Sequence, residues 1–405
     1  MPDLLTPAQV AASGAAIARV QEDDGAIPWT VGGHTDVWNH VESAMALLVA
    51  DRREEVDRAW TWVRRTQRFD GSWPMKVVGG VVEDTSGESN MAAYVAVGVW
   101  HHWLVRHELG FVVAHWPVVR RALDLVCGLQ LPFGGIAWSQ EWQGGEPAAV
   151  NADALLAGSA SIHHALRAGL TLAELLDDPQ PEWELTAGRL GHALRAHRDE
   201  FLDKSTFSMD WYYPVLGGAV RGAAGRRLIE ERWDDFVVPG LGVRCVDTDP
   251  WVTGAETCEL ALALDALGDR ERARTVFADA QHLRQPDGSY WTGYVYPDKV
   301  NWPAEHTTFT TAAALLAHDA LAEVTGGAGV VRGTALVRDP EPLGGGCGCA
   351  SADAFAGRSA DPLQHPQRAD HPSLDERPAV ERTPVDVVRR AASVGRVGED
   401  VVDRQ

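Results

Sequence analysis

Several signatures are missing from this 405-residue chain, and each absence narrows its chemistry. Basic residues are scarce: 36 Lys and Arg stand against 57 Asp and Glu, a formal charge of −21. Such a chain repels polyanions, which excludes a nucleic-acid backbone or an anionic membrane surface as its main partner. Cysteines number five, at no disulfide-like spacing and with no CxxC pair among Cys127, Cys245 and Cys258, so neither a disulfide framework nor a zinc site is expected. The opening Met-Pro-Asp-Leu-Leu-Thr-Pro lacks the basic and apolar regions of a secretory leader. The longest apolar run, 91–105, is broken by His101 and His102 and is too short to cross a bilayer. No phosphate-binding loop is present, since the glycines at 344–346 lack the following Lys, and no GxSxG nucleophile turn occurs. These absences lead us to expect a cytoplasmic protein with a small-molecule substrate, no nucleic-acid partner and no membrane segment; they leave the oligomeric state open.

Apolar residues are not scarce. At 45% they suffice for a large core, and 16 Trp outnumber 6 Tyr. Self-similarity organises the chain. A basic amphipathic helix, a glutamine, a Gly-Trp turn and an apolar helix recur, with the turns at 21–29, 67–73, 130–138 and 285–291. Apolar helices are expected from about Asp36, Ser89, Asn151, Asp210, Asp249 and Trp302. Their one-sided partners are expected at 7–21, 52–66, 116–130, 183–203, 224–236 and 270–284. Helices apolar all round belong inside and striped helices outside, so the spacing predicts an all-α (α/α)6 toroid over residues 1–330. Residues 331–405, rich in Gly and Pro and carrying Cys347 and Cys349, read as a mostly disordered tail, with one short helix after Thr383-Pro384.

The expected inner-helix starts share a composition. The first holds Asp36, Trp38, His40 and Glu42; the second follows Glu83, Asp84 and Glu88; the third holds Asn151 and Asp153. The fourth holds Asp210, Trp211, Tyr212 and Tyr213, the fifth Asp247, Asp249, Trp251 and Glu256, and the last Trp302, Glu305 and His306. Acids at helix starts are ordinary caps. Six such starts focused on one rim instead predict a pocket lined by carboxylates and aromatics. Glu42 and Glu256 are expected about two turns in, too deep to cap, where an unpaired carboxylate is costly. Trp29, Trp73, Trp138 and Trp291 are expected to clamp neighbouring hairpins.

The turns Gln67–Trp73 and Gln285–Trp291 resemble the QW repeats of squalene-hopene cyclases, and the hairpin alternation is similar to that of protein prenyltransferase β-subunits. The segment 7–325 resembles actinobacterial proteins of the prenyltransferase or squalene-cyclase-like type. That resemblance implies an enzyme acting on an isoprenoid or isoprenoid-linked substrate, with Asp247 or Asp249 as acid, Glu256 as its partner, and Trp38, Trp211 and Trp251 as cation-stabilising walls. Asp247-Thr248-Asp249-Pro250 carries two of the acids of the cyclase DxDD motif, with Pro in place of the last. Magnesium is implied only if the substrate is a diphosphate. The same toroid also carries glycosidases, which need two opposed carboxylates; in that alternative Asp36 or Glu42 faces Asp210 or Glu305 and the substrate is a glycan. A toroid that binds a glycan or lipid without catalysis is a third reading.

Overall fold

A computed structural model describes residues 4–337. Thirteen α-helices are described: α1 (Pro7–Val20), α2 (Val37–Val49), α3 (Arg53–Thr66), α4 (Ser89–Arg106), α5 (Leu109–Gly128), α6 (Leu156–Leu175), α7 (Pro181–Ala196), α8 (Ser208–Leu216), α9 (Gly222–Glu231), the single turn α10 (Trp233–Phe236), α11 (Gly254–Ala266), α12 (Arg270–Asp279) and α13 (Thr308–Ala322). Helices α2, α4, α6, α8, α11 and α13 pack side by side in that order, and α13 returns to α2 to close the ring. Around them lie α3, α5, α7, α9, α12 and α1, each against its inner neighbour. This is the (α/α)6 toroid that the spacing predicts.

The helix chemistry follows position. In α2, twelve of 13 residues are buried, polar ones included. In α3 only Val56, Ala59, Trp60, Trp62 and Val63 are buried, and its arginines and acids face outward. Hairpins are joined through the glutamine turns. Gln67 donates from its amide to the carbonyls of Gly71, at 3.1 Å, and of Val118 on α5, at 2.9 Å. Gln21 and Gln130 repeat the pattern, reaching Glu55 and Thr186 on the next outer helices. Gly71 holds φ at +100°, and a Cβ there would collide with the Arg121 carbonyl. The fourth turn performs the closure: Ser13 of α1 donates to the carbonyl of Gly288 at 2.8 Å. Two of the turn tryptophans bond locally through their ring N–H groups: Trp73 donates to Val63 on the helix that precedes its turn, and Trp29 donates to Asp36 at the start of the helix that follows; the link between neighbouring hairpins is the glutamine amide.

Strands, which the helical periodicity did not announce, decorate the face where the inner helices begin. His34–Thr35, Lys76–Val78 and Val81–Asp84 form one antiparallel sheet. Gly87–Glu88, Ser139–Gln143 and Glu146–Val150 form a second. A five-stranded sheet runs in the order Val300–Asn301, Gly293–Val295, Trp251–Thr253, Gly242–Arg244, Val237–Val238. These strands delay three inner helices, which start at Leu156, Gly254 and Thr308 rather than at Asn151, Asp249 and Trp302. The opposite face is closed by residues 325–337. His164 bonds the Val330 carbonyl, Arg167 donates to that of Val337, and Arg332 pairs with Asp265 at 2.6 Å. Residues 331–337, assigned above to the tail, therefore pack on the toroid. Cys347, Cys349 and the helix after Thr383 lie outside the described residues.

Replacing Gln67 by Ala should lower the unfolding free energy by about 1–3 kcal/mol, because two carbonyls lose their donor. Gly71→Ala should cost at least about 1 kcal/mol through strain at positive φ. Urea unfolding of both variants against the wild type checks this; an unchanged midpoint in either would contradict the clamp.

Candidate active site

The strand-bearing face is the mouth of the toroid, and carboxylates descend from it along the axis. Asp36 caps α2, accepting from the Asn39 N–H at 2.8 Å and from the Trp29 indole. Burial raises its pKa, against the pull of those hydrogen bonds. Glu88 precedes α4 and makes no side-chain capping bond; its backbone is held in a strand opposite Ser139. Burial, and then the negative charge of Asp36, push its carboxyl up to about 8. It therefore carries a proton at neutral pH.

Deeper in the axis, Glu42 accepts from the Trp38 indole at 3.0 Å. Burial and the charge of Glu259 raise it well above the ordinary range. Glu259 accepts from Tyr212 and, at 2.7 Å, from Tyr213. Burial still drives it up to about 8, more than those bonds can reverse. Trp38 stacks on Tyr94 with centroids 3.9 Å apart. Trp38, Glu42, Tyr94, Tyr213 and Glu259 line the upper end of an axial cavity with about 40 Å³ of free space. That is room for water, well short of the roughly 300 Å³ or more of an ordinary ligand pocket.

Across the ring from α4 stands α11. The strand Trp251–Thr253 brings its start to Gly254, so Glu256 lies in the first turn at the mouth, not two turns in. Cys245 is packed against it, and the Glu256 charge contributes to raising that thiol, after burial. Trp251 donates its indole N–H to the Trp302 carbonyl at 2.9 Å, and the two rings meet edge to face at 5.1 Å. Asp249 is buried, with one oxygen 3.2 Å from the Thr248 hydroxyl and the other without a partner; burial raises it.

Other expected site residues are occupied elsewhere. His40 uses both ring nitrogens, accepting from the Ile27 N–H and bonding the Ala59 carbonyl, and burial lowers it to about 4; it joins turn to helix. Trp211 points away from the axis, donating to the Leu228 carbonyl and stacking on Phe236, so it is no cation wall. Asp247 pairs with Arg232 at 2.6 Å. Glu83 pairs with Lys76 at 3.3 Å, and Asp84 accepts from the Ser86 N–H, both on a projecting strand. Asn151 accepts from the Asp153 N–H in a loop. Asp210 accepts from the Ala157 N–H, joining α8 to α6, and burial raises it to about 6. Glu305 is within reach of Thr292, while His306 packs edge-on against Trp291.

Glu259 and Tyr94 escaped the sequence reading. Glu259 lies three residues after Glu256 on a fully apolar helix, so the burial argument applied to Glu42 covers it equally. Among the described residues, no three His, Cys, Asp or Glu side chains converge as metal ligands, and no helix is long and apolar enough to cross a membrane.

No family model matches the chain. Among solved structures it superposes on a glycosidase with a TM-score of 0.63 at 16% identity, covering 79% of this chain and 98% of that one. A GH63 mannosylglycerate hydrolase from Thermus thermophilus gives 0.57 at 16%, covering 76% and 99%, and a D-mannose isomerase 0.60 at 11%, covering 77% and 96%. These likenesses establish the class of fold, an (α/α)6 toroid. The chain is 54% identical over 355 residues to the MMP endo-(1,4)-3-O-methyl-alpha-D-mannosidase of Mycolicibacterium hassiacum, covering 87% of this chain and 97% of that protein. It belongs to the family of that mannosidase and is an enzyme. The resemblance to prenyltransferases and squalene cyclases is thereby corrected: it rested on turns that clamp a fold and carry no chemistry. The isoprenoid substrate falls with it.

A buried acid that is protonated in the native state stabilises the fold fully below its ordinary pKa of 4.5 and loses that contribution as pH rises toward 8. The thermal midpoint should fall between pH 5 and pH 8.5, and Glu259→Gln, which mimics the protonated acid, should flatten that fall. A wild-type slope retained in the variant would contradict the assignment.

Proposed function

We propose that this enzyme is an endo-acting glycoside hydrolase that cuts internal (1,4) bonds in chains of 3-O-methyl-α-D-mannose. The relative's activity supports the substrate class, and Glu88 carries the mechanism: a carboxyl at the mouth that keeps its proton to about pH 8. Glycoside hydrolysis needs such an acid beside the leaving oxygen and a second carboxylate on the other side of the sugar. Glu256, on the facing helix, is that second group. The Glu88 proton passes to the glycosidic oxygen, the C1–O bond breaks, and the positive charge left on the ring is met by Glu256. Glu256 either takes a proton from a water that attacks C1, or bonds C1 itself, in which case a water that gives its proton to Glu88 then attacks C1 and releases Glu256; the carboxyl separation around the bound sugar sets the choice. The Trp38–Tyr94 and Trp251–Trp302 pairs give flat faces on which sugar rings can stack. The small axial cavity favours internal cleavage, since a chain that cannot enter the floor end-first must lie across the mouth.

The earlier glycosidase pairing changes accordingly: Asp36 acts on Glu88 through its charge, Glu42 forms part of the floor, and Asp210 and Glu305 serve the frame. Glu88→Gln and Glu256→Gln should each lower kcat by about 10²-fold or more, and kcat/KM of the wild type should fall as pH rises through about 8. Digestion of methylated mannose oligomers, followed by mass spectrometry and steady-state rates, measures both. A variant at wild-type rate, or activity persisting undiminished well above pH 8, would remove Glu88 as the acid.

A further inference from the structure

The hairpin that joins Ser139–Gln143 to Glu146–Val150 shares a sheet with the strand of the proposed acid: Ser139 pairs with Glu88 and Gln140 with Gly87. Burial falls away along its first strand. Ser139 and Gln140 are buried, Glu141 and Gln143 are exposed, and Trp142 is half-buried. Trp142 stands three residues beyond Ser139, about 10 Å farther out at the ordinary strand rise. The hydroxyl of Thr85, on the segment that enters Glu88, donates to the Trp142 carbonyl at 3.2 Å.

There the hairpin docks on the second glutamine turn. The Arg68 guanidinium lies over the Trp142 ring, 4.2 Å from its centroid, and Phe69 meets the same ring edge to face at 5.5 Å. Gln140 donates to Asp70 at 3.5 Å. Phe69 is nonetheless 66% exposed, the one aromatic among the exposed large apolar side chains of the described residues. A single exposed apolar side chain is ordinary on a protein surface. This one is firmly mounted. Its turn is closed by bonds from the Arg68 N–H to the Ser72 carbonyl and from the Gly71 N–H to the Arg68 carbonyl, and Gln67 ties the turn to α5. Arg68 Nη1 and Trp142 Nε1 are buried without a hydrogen-bond partner.

We propose that Phe69, backed by Trp142 and Arg68, is an outer sugar-binding subsite on the Glu88 side of the mouth, where a ring of the methylated mannose chain stacks beyond those at the reaction centre. This deepens the hydrolase reading and rests on it. The C–H face of a sugar and its O-methyl group are apolar and match a phenyl ring. Sugar oxygens accept hydrogen bonds, and the two unpartnered donors beside the ring call for acceptors. A platform held by a pinned turn loses little freedom on binding. An enzyme that cuts inside a chain must hold rings on either side of the scissile bond, and a ring held at Phe69 continues the chain outward past Glu88.

Steady-state rates on methylated mannose oligomers of increasing length, for the wild type, Phe69→Ala and Phe69→Tyr, test this. Wild-type KM should drop once the oligomer is long enough to reach Phe69. In Phe69→Ala the ratio of kcat/KM values, long over short oligomers, should fall about tenfold, the size of one ring's lost contact, and the fall should come through KM. Phe69→Tyr, which keeps the ring, should follow the wild type. A ratio that Phe69→Ala leaves unchanged, an equal loss at every length, or a loss in kcat alone would overturn the subsite and leave the hydrolase reading standing. A wild type that cleaves no methylated mannose oligomer would overturn the hydrolase reading and this inference with it. Light scattering is the accompanying measurement: a wild-type oligomer that dissociates in Phe69→Ala would show that a second copy covers the ring, which also overturns the subsite.

Discussion

The toroid depends on one repeated interaction, a glutamine amide that bonds both its own turn and the backbone of the next outer helix. Because the glycine of each turn lies too close to that helix for any side chain, the distance between neighbouring hairpins is set by backbone contact. Hairpins spaced this way begin their inner helices on one face, and the fourth turn, locked to α1, prevents the ring from opening. The convergence of side chains from distant parts of the chain at one mouth is a consequence of this clamp.

Convergence then creates the electrostatics. Asp36, Glu88, Glu42 and Glu259 come from three helices that share an apolar axis, so burial raises all four, and the charge of Asp36 adds to it at Glu88 and Glu42 and that of Glu259 at Glu42. Hydrogen bonds from Trp29, Trp38, Tyr212 and Tyr213 oppose that cost without cancelling it. The outcome is a set of acids that retain protons where solvent-exposed ones would not, which is the property a proton donor to a glycosidic oxygen needs. Their positions differ in consequence. Those on the floor beneath the mouth are held by aromatic donors, whereas Glu88 lies at the junction of two sheets beside the open face.

Much of the architecture was legible in the residues. Period 3.6 separated inner from outer helices, and the register of the glutamine turns gave the repeat. The mouth was less legible, because short strands carry little periodicity and the acids of Asp247-Thr248-Asp249 look alike in sequence whether they face a substrate or Arg232. The Gly-Gly pairs at 79–80 and 144–145, flanked by strand-forming segments, were a usable hairpin signal. The strand Trp251–Thr253, in the five-stranded sheet, explains why α11 begins late enough to bring Glu256 to the mouth. His40 and Trp211 could not be judged from spacing: on a helix buried all round, only packing decides whether a side chain faces the axis or a neighbour. The turn motif misled about chemistry for the reason that it identified the fold. It is a backbone clamp, and a clamp serves any reaction carried at the mouth.

The account turns on Glu88 protonating the leaving oxygen, and leaving-group dependence tests that step most directly. Methylated mannose oligomers bearing aryl leaving groups of graded acidity would be hydrolysed by the wild type and by Glu88→Gln. An enzyme that has lost its acid should fail on poor leaving groups yet approach wild-type rates with a leaving group that needs no proton. A loss of equal size across the whole series would contradict the assignment and return the search for the acid to Asp36 and Asp249.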